Sequence, residues 1–226
     1  MPHVPSVKWP TYFPFLQAAM TEFEIDQPAR EAAFIAQLAH ESGELRFMEE
    51  IWGPTAAQRR YEPPSTLATK LGNTEMGDGK RFKGRGPIQI TGRVNYTRFG
   101  DLLGLDLAAD PPRAGVPDVA FRIAGLFWSK KGLNELADLA TAASFRQITR
   151  RINGGFNGLA DRQRFYEVAR TVLGVALGAL PGRRRSARGR RQSSLRSEPS
   201  FARGYEAILA DRRRQRRPTR RTRGSR

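Results

Sequence analysis

Apolar residues recur with a helical period along most of residues 1–181. One stretch, PAREAAFIAQLAH, begins with Pro28, a residue that fits the first turn of a helix, and then places Phe34 and Leu38 on one face. Three later stretches, PDVAFRIAGLFWSKKG, GLNELADLATAASFRQITRRING and LADRQRFYEVARTVLGVAL, follow the same pattern. In the last of them the residues predicted to face inward are Phe165, Val168, Val172 and Leu173. The chain is therefore predicted to form a mainly α-helical domain.

The helical pattern stops in the segment LGNTEMGDGKRFKGRGPIQITGRVNYTRFG, residues 71–100. Its glycines interrupt any helix, and the alternating PIQIT predicts a short extended stretch. A long irregular loop in a compact helical domain is usually a functional surface. We therefore expect this loop to border a binding or active site.

The charge of the chain changes near residue 181. The whole sequence has 39 Lys+Arg against 22 Asp+Glu, a formal net charge of +17. Residues 182–226 hold 17 Arg against three carboxylates, or +14, which leaves +3 for residues 1–181. We therefore predict a nearly neutral domain, residues 1–181, followed by an Arg-rich and mostly disordered tail, residues 182–226. The tail contains an apolar stripe typical of a short amphipathic helix, formed by Phe201, Tyr205, Ile208 and Leu209.

A basic tail suggests an anionic partner, either a cell envelope or a nucleic acid, although a merely solvated polybasic tail is the simpler interpretation. The sequence has no Cys and only two histidines, His3 and His40, so we expect no disulfide and no metal site. Prolines interrupt the N-terminal segment where a signal peptide would need an unbroken apolar run, and no segment reaches transmembrane length. We expect a monomer that is cytoplasmic as synthesised.

Carboxylates gather where the first predicted helix ends, in AQLAHESGELRFMEEIWG. If the helix continued from Pro28, Glu41 and Glu50 would lie on opposite faces and about 13.5 Å apart along the axis. Gly43 is a helix-ending residue, and a turn there would let Glu50 fold back across a groove. Two carboxylates across a groove are what glycoside hydrolysis requires. On this pattern alone, solvated glutamates at a helix end remain the alternative.

Four ordered motifs resemble the catalytic domain of glycoside hydrolase family 19, which comprises chitinases and lysozyme-like endolysins of bacteria and phages. The motifs are FIAQLAHESGELRFMEE, GRGPIQITGRVNY, GLFWSKKGLNELAD and ITRRINGGFNGLADR, and the resemblance spans residues 29–174. It implies a lysozyme-like helical fold with two lobes flanking a central groove. Plant-type members carry disulfides, whereas this chain has no Cys, so the resemblance favours the compact bacterial lytic type.

The resemblance also implies roles for single residues. The general acid falls on Glu41, and the base that activates water falls on Glu50, with the adjacent Glu49 as an alternative register. The hydroxyl that helps to hold the water falls on Thr91. The residues implied in substrate binding, or in orienting the carboxylates, are His40, Gln89, Asn95, Tyr96, Asn153 and Arg162. Among other aromatic residues, Trp52, Tyr61 and Phe82 are candidates for stacking on sugars, and Trp128 is expected in the core.

The implied activity is inverting hydrolysis of β-1,4 links in a polymer that contains N-acetylglucosamine, either chitin or peptidoglycan. Carboxylates alone serve such chemistry, so we expect no cofactor. Two other hypotheses remain: a catalytically silent sugar-binding protein on the same scaffold, and binding of nucleic acid or envelope through the tail. We expect a lytic enzyme of this kind to act on the cell wall if it is released.

Overall fold

The computed structural model describes residues 1, 4 and 6–177. In this part of the chain, two 3₁₀ helices, Ser6–Lys8 and Pro111–Gly115, accompany ten α-helices. The α-helices are α1 (Trp9–Glu22), α2 (Pro28–Ser42), α3 (Ala56–Arg59), α4 (Thr66–Leu71), α5 (Asp78–Arg81), α6 (Arg93–Leu103), α7 (Pro117–Lys130), α8 (Asn134–Asp138), α9 (Ala142–Asn153) and α10 (Leu159–Val172). The prediction of a mainly helical domain is confirmed. His3, the predicted tail and its apolar stripe lie outside the described residues.

Helix α1 was not predicted, because Pro10 and Pro14 argue against a helix at the N-terminus. Pro10 lies at the start, where its missing N–H has no helical partner to lose, and Pro14 lies inside the helix. Packing against α7 accounts for the helical state, since Leu16, Ala19 and Met20 on α1 are buried. No helix among the described residues is long and apolar enough to cross a membrane.

Most buried apolar residues belong to one cluster around α2 and α7. Trp128 on α7 lies in it as expected: its ring meets Phe34 edge-on at 5.3 Å, and its Nε1 donates to Asn134 Oδ1 at 2.8 Å. The first residue of α8 therefore provides the hydrogen-bond acceptor that the buried Trp128 N–H requires.

The predicted inward face of α10 was partly wrong. Val168 and Val172 are 48% and 79% exposed. Helix α10 packs along α2 with Arg162 and Tyr166 buried, and the Tyr166 ring stacks on Phe145 at 4.1 Å. The helical period of α10 was predicted correctly, but the observed buried face is rotated from the predicted one. The prediction used hydrophobicity alone and therefore did not place Arg162 on the buried face.

Residues 48–90 hold the carboxylate segment against the glycine-rich loop. Gly86 N donates to Met48 O, and Glu50 N donates to Gly84 O, both at 2.8 Å. Arg85 also exchanges backbone hydrogen bonds with Ile90, so it is bridged on both sides. The extended stretch predicted for PIQIT is therefore wrong: residues 86–89 form a tight turn in which Gln89 has a φ of 56°.

Gly92 joins this loop to α6, and its conformation leaves no room for a side chain. Its φ is 92°, and an added Cβ would lie 2.6 Å from the carbonyl oxygen of Leu71. The backbone at Gly92, between Thr91 and Asn95, therefore packs directly against Leu71 at the end of α4.

We expect Gly92→Ala to destabilise the protein more than Gly77→Ala. Both positions have a positive φ, 92° and 94°, but an added Cβ at Gly77 would meet nothing within 4 Å. Backbone strain costs roughly 1–3 kcal/mol in both variants, and the clash at Gly92 adds about 1–3 kcal/mol more. Denaturant unfolding of the two variants measures the difference. Equal destabilisation would contradict the close approach to Leu71.

Candidate active site

Glu41 lies in the last turn of α2, where a buried arginine holds its carboxylate. Arg162 on α10 donates from Nη2 to Glu41 Oε1, and the two side chains are 2% and 9% exposed. The second terminal nitrogen of Arg162, Nη1, donates to Gln37 Oε1 one turn earlier on α2. The packing of α10 on α2 therefore places a cation directly against the predicted acid.

The chain reverses immediately after Glu41, as the sequence predicted from Gly43. Gly43, Glu44 and Leu45 all have a positive φ, of 58°, 59° and 60°. Ser42 holds this turn, since its hydroxyl donates to Leu38 O at 2.6 Å and accepts from Leu45 N at 2.7 Å. Three consecutive left-handed residues lead the chain from the acid toward Glu50, and two of them are not glycine, which costs local free energy.

Glu50 is oriented by several hydrogen-bond donors. Its Oε2 accepts from Gly84 N at 2.9 Å, and its Oε1 lies 3.3 Å from Gln58 Nε2 and 3.4 Å from the Tyr61 hydroxyl. These contacts fix the orientation of the carboxylate, and an oriented carboxylate can accept a proton from water.

Glu49, the alternative register, has a different environment. Its carboxylate is 52% exposed and pairs with Arg85 Nε at 3.1 Å and with Lys83 Nζ at 3.2 Å. Two cations share its charge, and its side chain belongs to the ion pairs that brace the loop. The contacts favour Glu50 over Glu49 as the second carboxylate.

Three other predicted residues form a chain of hydrogen bonds along the loop. Gln89 Nε2 donates to Phe47 O at 3.1 Å and to Gly86 O at 2.8 Å. Thr91 Oγ1 donates to Gln89 O at 3.1 Å, and Asn95 Nδ2 donates to Thr91 O at 2.7 Å. The structure brings these polar side chains together and ties them to the segment between Glu41 and Glu50.

Tyr96 does not reach a substrate in this structure, which corrects its predicted place among the substrate-binding residues. Its side chain is 0% exposed, and its hydroxyl donates to Lys83 O at 2.6 Å and accepts from Arg85 Nη1 at 2.8 Å. Burial raises the pKa of the Tyr96 phenol, and the neighbouring Arg85 opposes that rise only in part. Tyr96 therefore supports Arg85 beneath the loop.

His40, next to Glu41, faces the turn that leads into α10. Its Nδ1 lies 2.7 Å from Asp161 Oδ2, and because a carboxylate only accepts, Nδ1 carries the proton. The ring lies against Gly158, where an added Cβ would come within 2.3 Å of His40 Cε1. Burial lowers the pKa of His40 below 6.5, and the charge of Arg162 lowers it further, while Asp161 and Glu41 act in the opposite direction.

Asn153 ends α9 and holds the same turn. Its Nδ2 donates to Asn157 O at 3.1 Å and more weakly to Gly155 O at 3.4 Å. The predicted groove residue therefore also fixes the chain that places Gly158 beneath His40.

Tyr61 and Phe82 were candidates for stacking on sugars. This prediction is wrong, because the two residues are 1% and 0% exposed. Trp52 is partly buried and packs on the small apolar cluster around Tyr61. Phe47 and Phe156, which are 50% and 46% exposed, were overlooked. Each lies in a loop next to predicted site residues, and this position was the signal that could have identified them.

Two polar residues behind the site were also overlooked. Gln37 lies four positions before Glu41, and Thr149 lies on α9; they are 2% and 0% exposed. A glutamine in the middle of an apolar helix face was the available signal, since a buried polar side chain needs a partner. Among the described residues, no group of three or more His, Asp or Glu side chains is placed to hold a metal ion.

The site thus contains one carboxylate beside a buried arginine and, after a chain reversal, a second carboxylate oriented by hydrogen bonds; two carboxyl groups are what glycoside hydrolysis requires. Comparison with known proteins identifies the family of the chain. The family profile described as chitinase class I matches residues 10–137. A glycosyl hydrolase family 19 domain-containing protein of Haemophilus influenzae is 34% identical over 160 residues, which cover 61% of this chain and 76% of that protein. The chain belongs to glycoside hydrolase family 19, and it is a glycosidase.

Other relatives match over a smaller share of their length. An endochitinase of Arabidopsis thaliana is 43% identical over 125 residues, which are 55% of this chain but 39% of that protein. The crystal structure of chitinase C from Streptomyces griseus HUT6037 superimposes with a TM-score of 0.59 at 22% identity, covering 74% of this chain and 87% of that one. This likeness confirms the predicted mainly helical, lysozyme-like fold.

We expect the free energy of unfolding to fall as the pH falls from about 7 to about 5, and His40→Gln to flatten that slope. The pKa of His40 lies below 6.5 in the folded chain, so the unfolded chain binds the extra proton first and gains stability as the pH falls. Denaturant unfolding at several pH values measures the slope. His3→Gln removes the other histidine and serves as the control, which should keep the slope of the parent. Equal slopes for the parent and His40→Gln would contradict the burial of a neutral His40.

Proposed function

We propose that the protein hydrolyses β-1,4 links in a polymer that contains N-acetylglucosamine, with inversion at the anomeric carbon. The observation that carries the proposal is a pair of carboxylates held by specific contacts on the two sides of a chain reversal. Glu41 contacts the buried cation of Arg162, and Glu50 accepts from Gly84 N and Gln58 Nε2. Inverting hydrolysis needs two carboxyl groups with different tasks, about 6.5–9.5 Å apart.

In this proposal Glu41 is the general acid. It starts protonated, gives its proton to the departing glycosidic oxygen and becomes ionised. The Arg162 guanidinium stabilises the ionised form, so its contact with Glu41 strengthens as the proton leaves. The interaction therefore favours the transition state over the bound substrate, which is the requirement for catalysis.

Glu50 is the general base. Donors from Gly84 and Gln58 aim its carboxylate, and a water beside it loses a proton as it attacks the sugar. We assign the Thr91 hydroxyl to hold that water; this role is supported by the bridge through Arg85 that links the loop bearing Thr91 to the Glu50 segment. Gln89, Asn95 and Asn153 offer amide groups to sugar hydroxyls and N-acetyl groups.

Chitin-type polysaccharide is the substrate class that the family supports, and two relatives above carry the names endochitinase and chitinase. Peptidoglycan is the second candidate, because the Arg-rich residues 182–226 would favour an anionic wall. An enzyme with this substrate would act outside the cytoplasm in which it is made, after release. A silent sugar-binding role is disfavoured, since both carboxylates are present and held by specific contacts.

We expect the full chain to cleave chitin oligomers with inversion, and Glu41→Gln to reduce kcat by on the order of 10²–10⁴-fold through loss of the proton donor. Proton NMR of the fresh products identifies the anomer, and a reducing-end assay gives the rate. Parallel incubation with purified peptidoglycan tests the second polymer. A Glu41→Gln variant as active as the parent would refute the proposal, and products of retained configuration would refute inversion.

Separate substitutions of the adjacent glutamates test the register of the base. Glu50→Gln should reduce kcat by on the order of 10²–10⁴-fold. Glu49→Gln should change kcat only a few fold and lower the free energy of unfolding by up to about 1 kcal/mol, because it weakens half-exposed ion pairs with Lys83 and Arg85. Steady-state kinetics and denaturant unfolding of both variants provide the comparison. The reverse order of kcat values would assign the base to Glu49.

A further inference from the structure

The side chain of Arg162 is held by few contacts for a buried cation. Its Nη2 contacts Glu41 and its Nη1 contacts Gln37, while its Nε is buried without a hydrogen-bond partner. A guanidinium held at one end only can rotate if either of these contacts is lost. The position of Arg162 therefore depends on Glu41 and Gln37 together.

The contact with Glu41 changes during the proposed reaction. An ionised Glu41 attracts the guanidinium strongly, whereas a protonated Glu41, ready to act as the acid, attracts it much less. In the protonated state Gln37 is the remaining hydrogen-bond partner that keeps Arg162 in place. Gln37 is therefore most important for the position of Arg162 when Glu41 is protonated, which is the state that starts each turnover.

The orientation of the Gln37 amide is itself determined. Arginine has only donors, so the oxygen of Gln37 must face Arg162. The amide nitrogen then points away and donates to Thr149 Oγ1 at 3.0 Å, across a separation of 112 residues in the sequence. Without the Thr149 hydroxyl the amide nitrogen loses this bond, so the Gln37 side chain is anchored less firmly against Arg162.

We propose that Gln37 and Thr149 are positioning residues for the general acid. Thr149 fixes the Gln37 amide, Gln37 holds Arg162 beside Glu41 while that carboxyl is protonated, and Arg162 then receives the negative charge that proton transfer creates. This inference rests on the proposed function of Glu41. It extends the site to α9, a helix whose buried threonine touches neither carboxylate.

Thr149→Val tests the proposal, because valine keeps the shape of threonine and removes the hydroxyl. We expect kcat to fall roughly 10- to 100-fold, the range seen when outer partners that orient metal ligands are removed, with KM little changed. Thr149→Ser keeps the hydroxyl and should restore kcat.

Two controls separate positioning from a loss of stability. Ile148→Val removes one methylene from the neighbouring buried residue on α9 and should lower stability while kcat stays close to that of the parent. The ¹⁵N spectrum of the arginine side chains gives a readout that needs no turnover. The two Nη groups of Arg162 should give separate signals in the parent and in Thr149→Ser, and merge through faster rotation in Thr149→Val.

Two outcomes would overturn the positioning role: a Thr149→Val enzyme that keeps the kcat of the parent, or a Thr149→Ser enzyme as impaired as Thr149→Val. Either result leaves the proposed function intact if Glu41→Gln remains inactive. If Glu41→Gln is as active as the parent, the proposed function fails instead, and the Arg162 spectrum still reports whether Thr149 orders the guanidinium.

Discussion

A charged guanidinium cannot be buried without acceptors, and the burial of Arg162 constrains the structure around it. Helix α10 must pack along α2 so that Arg162 reaches Glu41 and Gln37, and it does so with Val168 and Val172 turned toward solvent. The turn before α10 must also keep a glycine at 158, because the His40 ring occupies the space of a side chain there. The need of the buried Arg162 guanidinium for acceptors therefore determines which faces of α2 and α10 pack together.

Arg85 has a comparable role on the other side of the carboxylate pair. Its backbone is bridged to Glu49 and to Ile90, and its side chain contacts Glu49, the Arg81 carbonyl and the Tyr96 hydroxyl. One buried arginine thus orders the surroundings of Glu41 through helix packing, and another orders the loop beside Glu50 through side-chain and backbone contacts.

Residues close in sequence account for most of what could be predicted. The apolar stripes identified α2, α7, α9 and α10, and Gly43 marked the end of α2, because periodicity and helix stops are local properties. The resemblance to a family supplied the candidate residues, and the choice between Glu50 and Glu49 stays a prediction. Contacts between distant segments decided the rest: α1 is helical despite Pro14 because α7 covers it, and PIQIT turns because Arg85 pairs with Ile90. The burial of Tyr96 and the bond between Gln37 and Thr149 have no local signal that specifies the partner.

The reversal after Glu41 has a consequence for how this segment can vary. Gly43, Glu44 and Leu45 share the left-handed conformation, and the Ser42 hydroxyl closes the turn at both ends. Such a turn works as a rigid link of fixed length. Conservative substitutions leave that length unchanged, whereas one inserted or deleted residue would shift the register against the Gly84–Gly86 backbone. A deletion would put Glu50 in the place of Glu49, and an insertion would put Glu49 in the place of Glu50. In this segment the number of residues is therefore more tightly constrained than their identity.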